Sequence, residues 1–366
     1  MNIWERTKAL HPAQYGYRQN RGTETAILQL INLIEDADEF NKPFFLMGFD
    51  TKKAFDAVNK QIMRVAWIRL GIPADIAEYI TELDSTGLTV IKSPHANHIY
   101  HSVGKSAVLA DVTSESTAEA YVARDGIGQG DSTSATAWLA LYDILLCMLD
   151  NNPQQPYTYQ VNQQDCAQGY SLAFADDLNT ISNSKPHLQN TICLVSAFNA
   201  ITGFQSNDKL ECGTNSKLHA GTVVQYYDNL WKPHDITVVY KLTIKILGVP
   251  VDLMNNWYDL ESFIKLRIDQ STIPIKTHNS STTTKALAYQ MALIPSVIYA
   301  AKFLNRSIAE IKILLKPIQT FLRVIQHLQR SFPNELLYRE RFQPCKKEGL
   351  ETVKRNDGAK RGSRFV

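Results

Sequence analysis

The sequence lacks a cysteine framework. Its 366 residues include 5 Cys, namely Cys147, Cys166, Cys193, Cys212 and Cys345, an odd number with no Cys-x-x-Cys pair. No His pair stands beside them at zinc-ligand spacing. A disulfide scaffold and a zinc site are set aside on these grounds, and the thiols read as reduced and intracellular, in a compartment left open among nucleus, cytoplasm and organelle. Long hydrophobic runs are also missing. The apolar stretch at 135–149 is too short for a bilayer and carries Asp143. The opening MNIWERTKALHPAQ has no apolar core and is charged from Glu5 onward, which is not the pattern of a secretory signal. No membrane partner is expected. Charge of one sign is lacking too: 38 Lys plus Arg against 36 Asp plus Glu leave a formal charge of +2. That excludes a uniformly basic nucleic-acid coat and leaves room for local patches. There is no internal repeat, and residues 280–284 are the one low-complexity piece.

What is present is a folding chain. Hydrophobic residues make up 44% and charged residues 20%. At roughly 100–200 residues per domain, the length accommodates two or three domains with a substantial core. Apolar residues recur at helical spacing from Ala26 to Ile34, with Thr23 and Thr25 as candidate caps and Pro43 as a stop. Phe44, Phe45, Leu46, Met47, Gly48 and Phe49 form a nearly continuous apolar run that suits a buried strand. A helix is expected from about Ala54 or Phe55 to Leu70, and another from about Ala74 to Leu83. Residues 87–125 read as hairpin strands around a polar insertion at 111–119, and 133–149 as a strong helix. Two strands flank Asp176 and Asp177, a helix follows at 188–201, and 236–251 reads as a hairpin. From Asn256 onward the pattern is mostly helical, with long runs at 285–304 and 308–329. A composition shift near 251–256 is the candidate domain boundary, and the basic, Gly-containing stretch 346–366 reads as a mobile tail.

Asp50 stands where the apolar strand ends. Taken alone, such an Asp is most simply a cap or turn residue. Asp176 and Asp177 are adjacent carboxylates in a tight turn, where they repel each other. A turn that keeps such a pair gains a reason if divalent cations neutralise it. Mg²⁺ takes few protein carboxylates plus substrate phosphate oxygens, so Asp50 and Asp176 could share two ions of the kind that serve phosphoryl transfer.

The order of segments is more specific than any one of them. FDTKKAFDAV is followed by GIGQGDSTS opening a helix, FADD in a hairpin, TGFQSNDKLE after a helix, and KILGVPV. In this order they resemble the five palm motifs of reverse transcriptases, most closely the branch of non-LTR retrotransposons and group II introns. HPAQYGYRQNRGTETAI resembles the fingers block that precedes them, and the resemblance covers roughly residues 11–251. It implies an α+β right-hand polymerase with an antiparallel-sheet palm, partial fingers and a helical thumb. Residues 1–49 would be partial fingers, 50–250 palm with a fingers insertion at about 66–125, and 251–345 thumb. The chain would be a shortened copy, trimmed at its N-terminal edge.

The resemblance also implies roles. Asp50, Asp176 and Asp177 match the catalytic, metal-binding acids, for two Mg²⁺ ions with Mn²⁺ as a substitute. Phe55 matches the ring that leaves no room for a ribose 2′-hydroxyl. Gln129 and Gly130 match the turn that packs on nucleotide and template, and Arg18 and Arg21 match fingers residues that contact nucleotide phosphates or template. Lys209 matches a proton donor to pyrophosphate. Gly128 stands where the family usually has Arg, and Asp131-Ser132 where it has Cys-Pro. The implied partners are an RNA template, a DNA or RNA primer and deoxynucleoside triphosphates, and the implied activity is RNA-directed DNA polymerisation. Two alternatives stay open: an RNA-dependent RNA polymerase, which shares the paired acids, and a non-catalytic retroelement relic that only binds nucleic acid.

Overall fold

A computed structural model describes residues 2–86, 90–92, 97–103, 106–111, 125–127, 133–160, 166–169, 171–207 and 210–325. The strand Phe45–Phe49 lies at the middle of a five-stranded sheet. Along it Phe45, Met47 and Phe49 enter one buried cluster, while Leu46 and the preceding Phe44 enter another. Side chains alternate between faces along a strand. Both faces are covered here, which is why the sequence shows a continuous apolar run instead of alternation.

On one face lie the helices Ser134–Asp150 and Lys185–Thr202, which contribute Trp138, Leu145, Leu188 and Ile192. On the other lies Thr23–Glu39, which contributes Leu30, Leu33 and Ile34. The sheet order is Val239–Tyr240, Glu211–Thr214, Phe45–Phe49, Asp177–Ser182, Ser171–Phe174. Neighbours are antiparallel except Val239–Tyr240, which runs parallel to Glu211–Thr214. This is the expected α+β arrangement of an antiparallel sheet backed by helices.

Local elements differ from expectation at instructive places. Residues 51–57 form turns, and the helix begins only at Lys60 and ends at Arg69. Asn59 is the cap: its side-chain oxygen accepts from the amides of Gln61 at 3.0 Å and Ile62 at 3.2 Å. Asp56 lies within the turns that precede it. The expected hairpin at 236–251 is narrower, pairing Thr243–Ile246 with Val249–Asp252. A separate hairpin, Val223–Tyr227 with Pro233–Thr237, precedes it. Strands Val90–Lys92, Asn97–Val103 and Ser106–Asp111 form a three-stranded antiparallel sheet. Most of the expected polar insertion at 111–119, and the tail 346–366, lie outside the described residues.

The chain divides into two compact units, residues 1–256 and 257–366. In the second, the helices Tyr258–Thr277, Thr282–Ala288, Ile294–Ala301, Ile308–Leu314 and Lys316–Ile325 bury Leu260, Ile264, Leu293 and Val297 among others. The expected run at 285–304 is interrupted by a π turn over Tyr289–Leu293, just before Pro295, whose missing amide hydrogen breaks the regular ladder. Among the described residues no helix is long and apolar enough to cross a membrane.

Candidate active site

The register of the two central strands sets the site. Phe49 pairs with Leu178, so the next step of the same antiparallel register brings Asp50 opposite Asp177. Asp176 occupies the turn between Phe174 and Asp177, which pair with each other. Two stretches about 125 residues apart in sequence therefore deliver three carboxylates to one end of the sheet.

Their electrostatics report that closeness. Burial, followed by the charges of Asp176 and Asp50, pushes the Asp177 carboxyl up to about 6. Asp176 is raised as well, by burial first and by Asp50 in addition, against a lowering backbone hydrogen bond. Asp50 itself is exposed. Asn207 holds it twice: the Asn207 amide donates to the Asp50 carbonyl at 2.8 Å, and its side-chain nitrogen donates to the Asp50 carboxylate. The Lys52 amide donates to the Gln205 carbonyl at 2.7 Å, which continues this pairing.

Tyr142 lies beneath the acids. Its hydroxyl donates to the Asp176 carbonyl at 3.3 Å and also bonds the Thr51 side chain. Burial, with the negative charges of Asp176, Asp177 and Asp50, raises this phenol far above its ordinary value, so it stays protonated. Trp138, one helical turn earlier, stacks on Tyr142 with ring centroids 5.1 Å apart. Phe55 also stacks on Trp138, at 5.3 Å. The Phe55 carbonyl accepts from the Ile127 amide at 2.8 Å, which ties the Phe55 turn to the segment leading toward Gln129.

Gln129, Gly130 and Lys209 lie outside the described residues. Arg18 and Arg21 are placed, and their guanidinium groups are engaged within the chain. Arg18 is a buried side chain that donates to both carboxylate oxygens of Glu5, at 2.9 and 2.8 Å, and to the His11 carbonyl at 2.7 Å. Arg21 donates to the carbonyls of Pro12 and Gln14 and lies over the Tyr15 ring. The structure thus brings Asp50, Asp176 and Asp177 to one sheet end, with Phe55 linked to them through Trp138 and Tyr142, while both arginines face the loop at 11–14.

Several residues here carried no assigned role in the sequence. Asn207 was visible inside TGFQSNDKLE, beside Lys209. Trp138 and Tyr142 read as ordinary apolar positions of a strong helix. Gln14 sits inside HPAQYGY without any signal of its long-range contact, described below.

The donor set is hard carboxylate oxygen, which suits Mg²⁺ or Mn²⁺ and not a thiolate or imidazole metal. Among the described residues, no three His, Cys, Asp or Glu side chains are placed to hold an ion as a set. That is compatible with Mg²⁺, which is held by one or two carboxylates and completes its shell with water and substrate phosphate. The raised carboxyls of Asp176 and Asp177 fit the same reading, since a cation would relieve the crowding of like charge.

No family model matches the chain. In sequence it is 25% identical over 336 residues to the retrovirus-related Pol polyprotein from type-1 retrotransposable element R2 of Popillia japonica, covering 90% of this chain and 43% of that one. The chain is similar to this retrotransposable-element Pol polyprotein. This agrees with the resemblance carried by the ordered motifs. The similarity spans nearly all of the chain, which itself spans less than half the length of that curated relative. Similar solved structures include telomerase from Candida tropicalis in complex with a TWJ fragment of telomeric RNA, at 12% identity over 93% of this chain and 55% of that one, with a TM-score of 0.42. Telomerase from Candida albicans, also with a TWJ fragment of telomeric RNA, aligns at 10% identity over 88% and 50%, with a TM-score of 0.40.

Proposed function

We propose that the chain is the polymerase part of a reverse transcriptase, an RNA-directed DNA polymerase that extends a primer with deoxynucleotides. The observation that carries this reading is the convergence of Asp50 with Asp176 and Asp177 at one sheet end, with the Phe55 ring connected to them through Trp138 and Tyr142. On this reading the unit containing the five-stranded sheet is palm with fingers elements, and the helical unit after residue 256 is thumb.

Asp50, Asp176 and Asp177 would hold divalent ions, which supply charge neutralisation for an attacking primer hydroxyl and a departing pyrophosphate. The chain's own residues do the rest. Asn207 fixes the orientation of Asp50, so that its carboxylate presents one face to the site. Tyr142, kept protonated by burial, anchors the Asp176 carbonyl and does not exchange a proton near neutral pH. Phe55, held flat on Trp138, stands where bulk excludes a 2′-hydroxyl and so selects deoxynucleotides. Gln129, Gly130 and Lys209 are assigned to nucleotide packing and to protonation of pyrophosphate through the family motifs. Such an enzyme holds its RNA template and primer mainly by their phosphates, so binding weakens steeply with salt.

The test is dTTP incorporation on poly-rA primed with oligo-dT, in Mg²⁺ or Mn²⁺. The reading expects incorporation that exceeds incorporation of ribonucleotides. Equal use of both nucleotide types would favour an RNA-dependent RNA polymerase. Salt-sensitive RNA binding without any extension would reduce the chain to a nucleic-acid binder.

A further inference from the structure

The turn that carries Asp176 is strained. Ala175, its first residue, has φ +55°, in the left-handed region that favours glycine. An alanine held there needs outside support, and the support is one side chain 161 residues away in sequence. Gln14 is 2% exposed. Its side-chain oxygen accepts from the Ala175 amide at 3.0 Å, and its side-chain nitrogen donates to the Ala175 carbonyl at 3.2 Å. The same oxygen accepts from the Gly16 amide at 2.8 Å. Both backbone polar groups of the strained residue are thus satisfied by one amide.

The surroundings fix that amide in place. The Tyr15 amide donates to the Ala173 carbonyl at 2.7 Å, and the Ala173 amide donates to the Ala13 carbonyl at 2.8 Å, so residues 13–15 run as a parallel edge along Ser171–Phe174. Gly16 permits the approach: a Cβ there would lie 2.3 Å from the Ala175 nitrogen, a backbone atom that cannot step aside. Arg18 and Arg21 brace the same loop from behind, through the carbonyls of His11, Pro12 and Gln14. Glu5 in turn holds Arg18.

We propose that Gln14 is the positioning residue of the Asp176–Asp177 turn, and that Glu5, Arg18 and Arg21 act on the site by holding the Gln14 loop. Gln14 touches no reacting atom. It fixes the backbone from which the two carboxylates project, and so sets the geometry in which they take up a divalent cation. This rests on the polymerase reading for its consequence in catalysis, but not for the contact itself.

The test compares the full chain with Gln14→Met, which keeps the volume and removes the hydrogen bonds, and Gln14→Glu, which keeps the acceptor oxygen for the two amides. Three readouts are taken. The first is hydrogen exchange at the Ala175 and Gly16 amides, with the helix Lys185–Thr202 as an internal control. The second is Mn²⁺ binding to metal-free protein, followed by electron paramagnetic resonance. The third is the Mg²⁺ concentration for half-maximal primer extension. Gln14→Met is expected to speed exchange at both amides by about 10-fold, the scale of one lost buried hydrogen bond, with the control helix unchanged. Mn²⁺ affinity should weaken and the Mg²⁺ requirement rise by a similar factor, with KM for template–primer unaltered. Gln14→Glu should leave exchange at both amides near wild type. A merely structural role would lower the amount of active protein and leave the Mg²⁺ requirement where it was.

The inference is overturned if Gln14→Met leaves amide exchange and Mn²⁺ affinity at wild-type values. If the wild-type chain extends no primer while both of these change, the polymerase reading fails and the positioning role of Gln14 stands.

Discussion

The ring of Phe55 lies on that of Trp138, with centroids 5.3 Å apart and planes 28° from parallel. Trp138 is fully buried and is itself stacked against Tyr142 and Phe204. A ring at a turn is thereby given one orientation by the core. Phe55→Ala is expected to reduce the preference for deoxynucleotides over ribonucleotides, as a ratio of kcat/KM values, by about 10–200-fold, the range for one group in a shaped pocket. Trp138→Leu should lower the same ratio by less, because it removes the support and leaves the ring. Single-nucleotide insertion with dTTP and UTP reads both.

The acids leave a signature in stability as well as in catalysis. The Asp177 carboxyl titrates near 6 in the folded chain against an ordinary value of 3.8. Between those two values the folded state holds more protons than the unfolded state, so stability falls as pH rises through the window and levels off above about 6. Asp176 adds to the fall in the same direction. In metal-free protein, the difference in unfolding free energy between wild type and Asp177→Asn should therefore grow in favour of the variant from pH 4 to 6 and stay flat to pH 8. Chemical denaturation at a series of pH values checks it.

Glu5 has the opposite sign. Its hydrogen bonds to Arg18 hold the carboxyl below its ordinary value, so its contribution is present at neutral pH and lost as pH falls below about 4.5. Arg18 is the more deeply buried partner, with 5% of its side chain exposed against 20% for Glu5. Glu5→Gln should destabilise the chain by about 1–3 kcal/mol at pH 7, less than a fully buried pair because Glu5 is partly solvated. Urea denaturation measures this, and the loss should shrink toward pH 3.

The sheet strands and the helices around them were legible from local signatures, whereas the grouping of Asp50, Asp176 and Asp177 followed from the order of the motifs. The apolar run 44–49 marks a strand covered on both faces, and an Asp pair in a tight turn marks crowded charge. The helix expected from Ala54 or Phe55 begins only at Lys60, because residues 51–57 form turns tied to a distant segment by the Gly126 and Ile127 amides, which donate to the Val58 and Phe55 carbonyls. The commitment of Arg18 to Glu5 was invisible for a related reason: an arginine in a polar segment reads as free until its partner is located. Gln14 was the hardest to read. Nothing in the sequence near Ala175 announces a left-handed alanine, and nothing near Gln14 announces a contact 161 residues away.

The most direct test of the polymerase assignment is the rate of addition of a single dTMP to an oligo-dT primer on an RNA template, for wild type and Asp176→Asn side by side. Circular dichroism should show the same fold for both. The account predicts addition by the wild type and a loss of at least about 100-fold in the variant, the scale of removing one group that stabilises developing charge. Equal rates for the two proteins, or no addition by either, would contradict it.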